Sequence, residues 1–121
     1  MKKVVLSKQN ANPNFIGSWM LNPLSVCDEL INYFEANKYK QKQGETSGGE
    51  QLHIKNSIDI SILPKDMKLS GNEVFEEYFN NLFSCYEDYT KQWPFLTTFA
   101  DHLQIGEFNL QRYHSGQHFN S

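Results

Sequence analysis

Two long stretches of the chain repeat apolar side chains at helical spacing, and the first begins near residue 22. Apolar residues recur three and four positions apart between Val26 and Phe34, which places them on one face of a helix. We expect Asn22 to cap this helix and Pro23 to lie in its first turn. The pattern fades before the polar, glycine-rich residues 41–51, which we expect to form a surface loop.

The second helical stretch, residues 73–93, carries a broad aromatic stripe on one face and most of its acidic residues on the other. The apolar positions of the stripe are Phe75, Tyr78, Phe79, Leu82, Phe83, Tyr86 and Tyr89. Core packing is the usual explanation for such a face, although a partner-binding face is the alternative. We expect the helix to end at Trp93, because the residue before a proline disfavours the helical conformation.

Three further segments have patterns typical of β-strands. The first is a short apolar run near Val4–Leu6. The second lies within residues 53–63, where isoleucines alternate with polar residues until Pro64 ends the run. The third begins at Gly106 and continues to Tyr113. These strands and the two helices predict an α+β fold in which the helices pack on a small sheet.

The two faces of the third strand differ in chemistry, because its residues alternate between apolar and polar. One face carries Phe108, Leu110 and Arg112, and the other carries Asn109, Gln111 and Tyr113. A polar strand face of this kind either contacts solvent or lines a site. The alternation alone leaves both interpretations open.

The last strand runs almost to Ser121. An aromatic-rich strand with an unpaired edge favours aggregation, and complete domains usually protect such an edge. We therefore expect residues 1–121 to be the N-terminal portion of a single larger domain. A complete small domain that ends in a strand is the alternative.

Composition excludes several classes of protein. Formal net charge is −3, with ten lysines and one arginine, which argues against a nucleic-acid partner. Cys27 and Cys85 lie far apart in helical patterns and do not form a disulfide framework, so we expect buried thiols in a reducing compartment. No stretch has the pattern of a signal peptide or a membrane span. We predict a cytoplasmic protein without a membrane partner.

The segment QRYHSGQHFNS, residues 111–121, carries a motif. It resembles the start of the metal-binding strand region in Fe(II)/2-oxoglutarate-dependent dioxygenases of the prolyl 4-hydroxylase-like superfamily. In that family a Tyr is followed three residues later by Gly, then three further by Tyr or Phe, and soon after by a His-x-Asp/Glu pair. Tyr113, Gly116 and Phe119 fit this spacing. The order of upstream elements is similar too, from an opening strand in residues 15–21 onward.

The resemblance implies a double-stranded β-helix, or jelly roll, with the two helices packed on its first strands. It implies Fe(II) and 2-oxoglutarate as cofactors, with dioxygen as co-substrate, in the hydroxylation of a C–H bond coupled to 2-oxoglutarate decarboxylation. By matching positions, Tyr113 would contact the 2-oxoglutarate carboxylate, with Asn109 and Gln111 on the same barrel-facing side. Phe119 would lie near the substrate entrance.

The family's metal triad and its basic 2-oxoglutarate anchor follow the matched region, so we expect them, and the rest of the barrel, beyond Ser121. On this hypothesis the parent protein is an oxygenase and residues 1–121 alone are inactive. The substrate, a peptide or a small molecule, is not readable. A complete non-catalytic α+β interaction module and a degenerate oxygenase scaffold are the alternatives. We interpret His114 and His118 as surface residues, because Ser115-Gly116 predicts a turn between them.

Overall fold

The computed structural model of the chain describes residues 3–4, 15–99 and 103–120. Two helices are present in this part of the chain, α1 (Ser25–Ala36) and α2 (Glu73–Gln92). The strands are β1 (Lys3–Val4), β2 (Ser18–Trp19), β3 (Lys42–Gln43), β4 (Ile58–Ile62) and β5 (Phe108–Arg112). The α+β class expected from the pattern of apolar residues is confirmed.

The strands form two antiparallel sheets in the described residues. Strands β1 and β2 pair with each other, and the second sheet has the order β3-β4-β5. In this second sheet Lys42 lies opposite Asp59, which lies opposite Gln111. The strand expected near Val4–Leu6 is represented by β1, and residues 5–6 lie outside the described residues.

The chain divides into two compact units, and α1 crosses from one to the other after Leu30. Unit 1 consists of Met1–Leu30 and Ser70–Gln104, and unit 2 consists of Ile31–Leu69 and Ile105–Ser121. Unit 1 therefore holds the two-stranded sheet and α2, whereas unit 2 holds the three-stranded sheet. Each unit joins segments that are distant in sequence.

In unit 1 the helix α2 ends before Trp93-Pro94, as predicted. Its aromatic stripe is less buried than expected: Val74 and Phe75 are the buried apolar residues of α2, and Leu82 is 40% exposed. Stripe residues instead contact one another: the Tyr78 and Phe79 rings meet edge to face at a centroid distance of 5.6 Å, and the Phe79 and Phe83 rings are tilted, at 6.3 Å.

The predicted cap of α1 is wrong. The first backbone hydrogen bonds run from Val26 N–H to the Pro23 carbonyl and from Cys27 N–H to the Leu24 carbonyl, so a turn precedes the regular helix at Ser25. Asn22 lies outside the helix. Its backbone N–H donates to Oδ1 of the buried Asn81 on α2, at 3.0 Å, so a tertiary contact replaces the expected cap.

In unit 2 one face of the sheet is apolar. Ile60 and Ile62 of β4 are buried, as are Tyr33 and Phe34 at the end of α1. The guanidinium carbon of Arg112 lies 5.1 Å from the centroid of the Phe34 ring. An arginine thus continues the apolar row of β5 by covering an aromatic face.

The loop expected at residues 41–51 is partly wrong, because β3 lies within it. After β3 the Gly44 N–H donates to the Ser57 carbonyl at 2.9 Å, and Thr46 and Gly49 form a further bridge. Pairing with β4 supplies backbone hydrogen bonds that local sequence does not reveal. The segment is therefore an edge strand followed by a tight turn.

Candidate functional site

The polar face of β5 lies on the sheet of unit 2. Asn109 and Gln111 are exposed, and they stand opposite Ser61 and Asp59 of β4 in the antiparallel register. Tyr113 follows directly after the strand and is 39% exposed. The three residues that the sequence placed on one strand face therefore lie on the side of the sheet that also carries polar residues of β4.

Two hydrogen bonds fix part of this row. Ser61 Oγ donates to Asn109 Oδ1 at 2.8 Å, which links β4 to β5 through side chains. The Tyr113 hydroxyl donates to Gln111 Oε1 at 3.2 Å. This second bond is long for an O–H donor. A carboxylate oxygen would be a stronger acceptor for the phenol than the amide oxygen, because it is charged.

A turn separates Tyr113 from Phe119. Gly116 adopts a positive φ of 86°, and the Gln117 N–H donates to the His114 carbonyl at 2.9 Å. After the turn the chain returns to the β4 side, where Phe119 stands opposite Lys55 in an antiparallel bridge. The structure thus places Phe119 on Lys55, whereas Tyr113 contacts Gln111.

Beneath the polar face lies a buried network that the sequence interpretation missed. Lys55 Nζ lies 2.9 Å from Asp59 Oδ2, and Ser57 Oγ donates to Asp59 Oδ1 at 2.8 Å. All three side chains are buried, and the Phe119 ring centroid lies 5.2 Å from Lys55 Nζ. Their i, i+2, i+4 spacing in an extended segment was the signal that could have placed them on one face.

An open cavity of about 410 Å³ lies on the same face. Its lining includes Lys42 and Glu45 from the β3 side, Asp59 and Ser61 from β4, and Glu107 and Asn109 from the β5 side. Nearly all of these side chains are hydrogen-bonding groups, so the cavity suits a polar ligand and not an apolar one. Asn109 is the predicted site residue that contributes to it.

A different cavity, of about 380 Å³, lies within unit 1 and is mostly apolar. Its lining includes Phe15, Trp19, Leu82, Cys85 and Tyr86. Burial raises the pKa of the Cys85 thiol. Since the thiolate is the reactive form, this raised pKa makes Cys85 a poor nucleophile.

The described residues do not fit an iron centre. Within residues 15–99 and 103–120, no group of three or more His, Cys, Asp or Glu side chains could hold a metal ion. The His118 side chain instead contacts the backbone, because its Nε2 lies 3.2 Å from the His53 carbonyl oxygen. In the same part of the chain, neither helix has the length and apolar character needed to cross a membrane.

No family model, no curated protein and no solved structure matches this chain. The resemblance to the dioxygenases therefore stays a prediction that rests on Tyr113, Gly116 and Phe119.

Proposed function

We propose that this chain is the N-terminal part of an Fe(II)/2-oxoglutarate-dependent dioxygenase resembling the prolyl 4-hydroxylases. The sheet β3-β4-β5 would supply the first strands of its jelly roll. The observation that carries the proposal is the polar row of Asn109, Gln111 and Tyr113, in which Tyr113 also fits the family's spacing. The reaction would hydroxylate a C–H bond and decarboxylate 2-oxoglutarate, and the protein would work in the cytoplasm.

In this proposal Tyr113 binds a carboxylate of 2-oxoglutarate. Its hydroxyl would exchange the long bond to Gln111 for a charge-assisted bond to the co-substrate. The Gln111 amide would then turn its N–H groups toward the same carboxylate. Asn109 lies two residues along the same face, and because its Oδ1 accepts from Ser61, its amide N–H groups would be available to the co-substrate.

The iron ligands would come from residues C-terminal to Ser121, because in the family they follow the region matched by Tyr113 and Phe119. The test is to read the coding DNA past Ser121. We expect a His-x-Asp or His-x-Glu codon pair at once or within a few codons, then a later His and a basic residue. An immediate stop codon would contradict the proposal.

A second test uses the protein that this longer reading frame encodes. Tyr113→Phe removes one hydrogen bond to a charged group, so the Kd for 2-oxoglutarate should rise about tenfold while iron affinity stays the same. Tyr39→Phe is the matched control, because Tyr39 is 82% exposed on the turn after α1. Calorimetry that finds both variants equal to the parent would remove Tyr113 from the site.

A non-catalytic interaction module is the second candidate. Exposed aromatic side chains in unit 1 favour it: Phe95, in the turn Pro94–Thr98, is 50% exposed, and Phe99, directly after that turn, is 81% exposed. A degenerate oxygenase scaffold would present the same surface. A stop codon directly after Ser121 would favour these two readings over catalysis.

A further inference from the structure

The cavity on the polar face of the unit 2 sheet offers charged groups that the fold itself does not use. Asp59, at its floor, already accepts hydrogen bonds on both oxygens, from Lys55 and Ser57. In the described part of the chain, the Glu45 and Glu107 carboxylates and the Lys42 ammonium have no ion-pair partner. Two carboxylates and one ammonium are therefore available to a ligand.

The available groups are divided between the two outer strands of the sheet. Lys42 lies on β3 and Glu45 follows two residues after that strand, whereas Glu107 directly precedes β5. Neighbouring strands are about 4.8 Å apart, so the β3 and β5 backbones lie about 10 Å apart across β4. Glu107 is also displaced along the strands, because it precedes the residue paired with Ile62, whereas Lys42 pairs with Asp59. A ligand that bridges the cavity needs charged groups at both ends, separated by several bonds.

We propose that this cavity binds a diamino acid, a small molecule with two ammonium groups and one carboxylate, of which lysine is the simplest probe. The carboxylate pairs with Lys42, the α-ammonium with Glu45 and the terminal ammonium with Glu107. The ligand's net charge of +1 complements the net charge of −1 that remains on the lining after Asp59 and Lys55 neutralise each other. The Asn109 amide, whose Oδ1 accepts from Ser61, offers its N–H groups to the ligand carboxylate.

The inference goes beyond the oxygenase proposal, because its charged groups are Lys42, Glu45 and Glu107 and it uses neither Tyr113 nor a metal ion. Asn109 is the residue that both proposals share. The oxygenase proposal and the diamino acid proposal can therefore fail independently. If the oxygenase proposal holds, Tyr113→Phe raises the Kd for 2-oxoglutarate about tenfold, whereas diamino acid binding would not change in that variant.

Three probes that keep the same spacing between the groups they share separate the contributions of the charged groups. L-Lysine carries all three groups, 6-aminohexanoate lacks the α-ammonium, and pentane-1,5-diamine lacks the carboxylate. We expect L-lysine to bind the 121-residue chain about tenfold more tightly than either of the others, because each omits one charge-assisted hydrogen bond. Amide shifts of residues 42–46 and 107–109, followed by NMR, locate the binding.

Matched variants assign each group. Lys42→Gln should remove the difference between L-lysine and pentane-1,5-diamine, and Glu45→Gln should remove the difference between L-lysine and 6-aminohexanoate. Glu107→Gln should weaken all three probes by about tenfold. Glu50→Gln, an exposed position outside the cavity in the same unit, should bind like the parent. All four positions are exposed, so an unchanged NMR spectrum away from the cavity verifies the fold.

Two results would overturn the proposal. If pentane-1,5-diamine binds as tightly as L-lysine, the cavity attracts cations in general and Lys42 has no role in recognition. If L-lysine produces no shift in residues 42–46 or 107–109, the cavity does not take a diamino acid.

Discussion

Lys55 Nζ and Asp59 Oδ2 lie 2.9 Å apart, and both side chains are almost completely buried in a unit of about half the chain. Desolvation of two charges opposes folding, and their mutual attraction offsets this cost only when the remaining hydrogen-bonding groups are satisfied. Ser57 satisfies the second carboxylate oxygen, and the Phe119 ring covers the ammonium. The pair therefore joins the segment before β4 to the residues that follow the Gly116 turn.

Removal of one partner from this pair should be strongly destabilising. Lys55→Met leaves the Asp59 carboxylate buried without its counter-ion, and we expect the free energy of unfolding to fall by about 3–5 kcal/mol. Urea unfolding followed by circular dichroism measures this change. The double variant Lys55→Met/Asp59→Leu should recover most of the loss, because it leaves no uncompensated charge. Lys65→Met, at an exposed position, is the control, and equal effects of the two single lysine variants would refute the prediction.

The network also explains the glycine after β3. A Cβ at Gly44 would collide with the Ser57 hydroxyl and would lie only 2.9 Å from Lys55 Cε and 3.0 Å from Asp59 Oδ2. Since these atoms are held by the ion pair, Gly44→Ala should lower the free energy of unfolding by about 1–3 kcal/mol. Gly106→Ala is the matched control, because no atom lies within 4 Å of its added Cβ. Comparable melting temperatures for the two variants would show that the network can move aside.

Periodicity predicted the elements whose signals are local. Helix α2 and strands β4 and β5 were expected because each has a continuous period of 3.6 or 2. Strand β3 was missed, since two polar residues before Gly44 carry no such period and their pairing partner lies some fifteen residues away. The Asn22 cap was wrong because a contact with Asn81, 59 residues away, determines its position. Pairing between polar groups that are distant in the chain could therefore not be predicted from the sequence alone.

In the candidate site, too, local patterns were predictable from the sequence and long-range contacts were not. Alternation placed Asn109, Gln111 and Tyr113 on one face, and the register with β4 puts the first two opposite polar residues. The burial of Lys55 could not be predicted from the sequence, because a lysine in a polar context is normally exposed. The cavity lining was equally hidden, since it combines residues from β3, β4 and β5 that are far apart in sequence.

Asn81 ties the chain before α1 to the middle of α2. Its side chain accepts a hydrogen bond from the Asn22 N–H at 3.0 Å and donates to the Glu77 carbonyl at 2.9 Å. Asn81→Ala leaves the Asn22 backbone without this partner, and we expect a loss of about 1–3 kcal/mol in the free energy of unfolding. Asn80→Ala makes the same change at the exposed neighbouring position, so thermal denaturation of both variants isolates the contact from helix propensity. A loss of the same size at both positions would disprove the role of Asn81.

The side chains of Glu29 on α1 and Glu77 on α2 lie close together within unit 1. Partial burial raises the pKa of Glu77, and the nearby Glu29 raises it further through charge repulsion and a hydrogen bond between the two side chains. A carboxyl whose pKa is raised on folding holds its proton more tightly in the folded protein. Its contribution to stability is therefore complete below the unfolded pKa and is lost as pH rises through the folded pKa.

Glu77→Gln should consequently stabilise the protein at neutral pH and have no effect in acid. Above the folded pKa of Glu77 the parent carries a carboxylate that burial and the nearby Glu29 disfavour, and the neutral glutamine removes this cost, so the melting temperature should rise. Below the ordinary glutamate pKa both proteins are neutral at this position, and their melting temperatures should converge.

Glu76→Gln, one residue earlier and exposed, should give no gain at pH 7, because it removes an acid that favours the first turn of α2. Melting curves between pH 3.5 and 8, a range of about one unit below and several above that pKa, test this. A gain from Glu77→Gln that is constant over the whole range would mean that ionisation of Glu77 is not its cause.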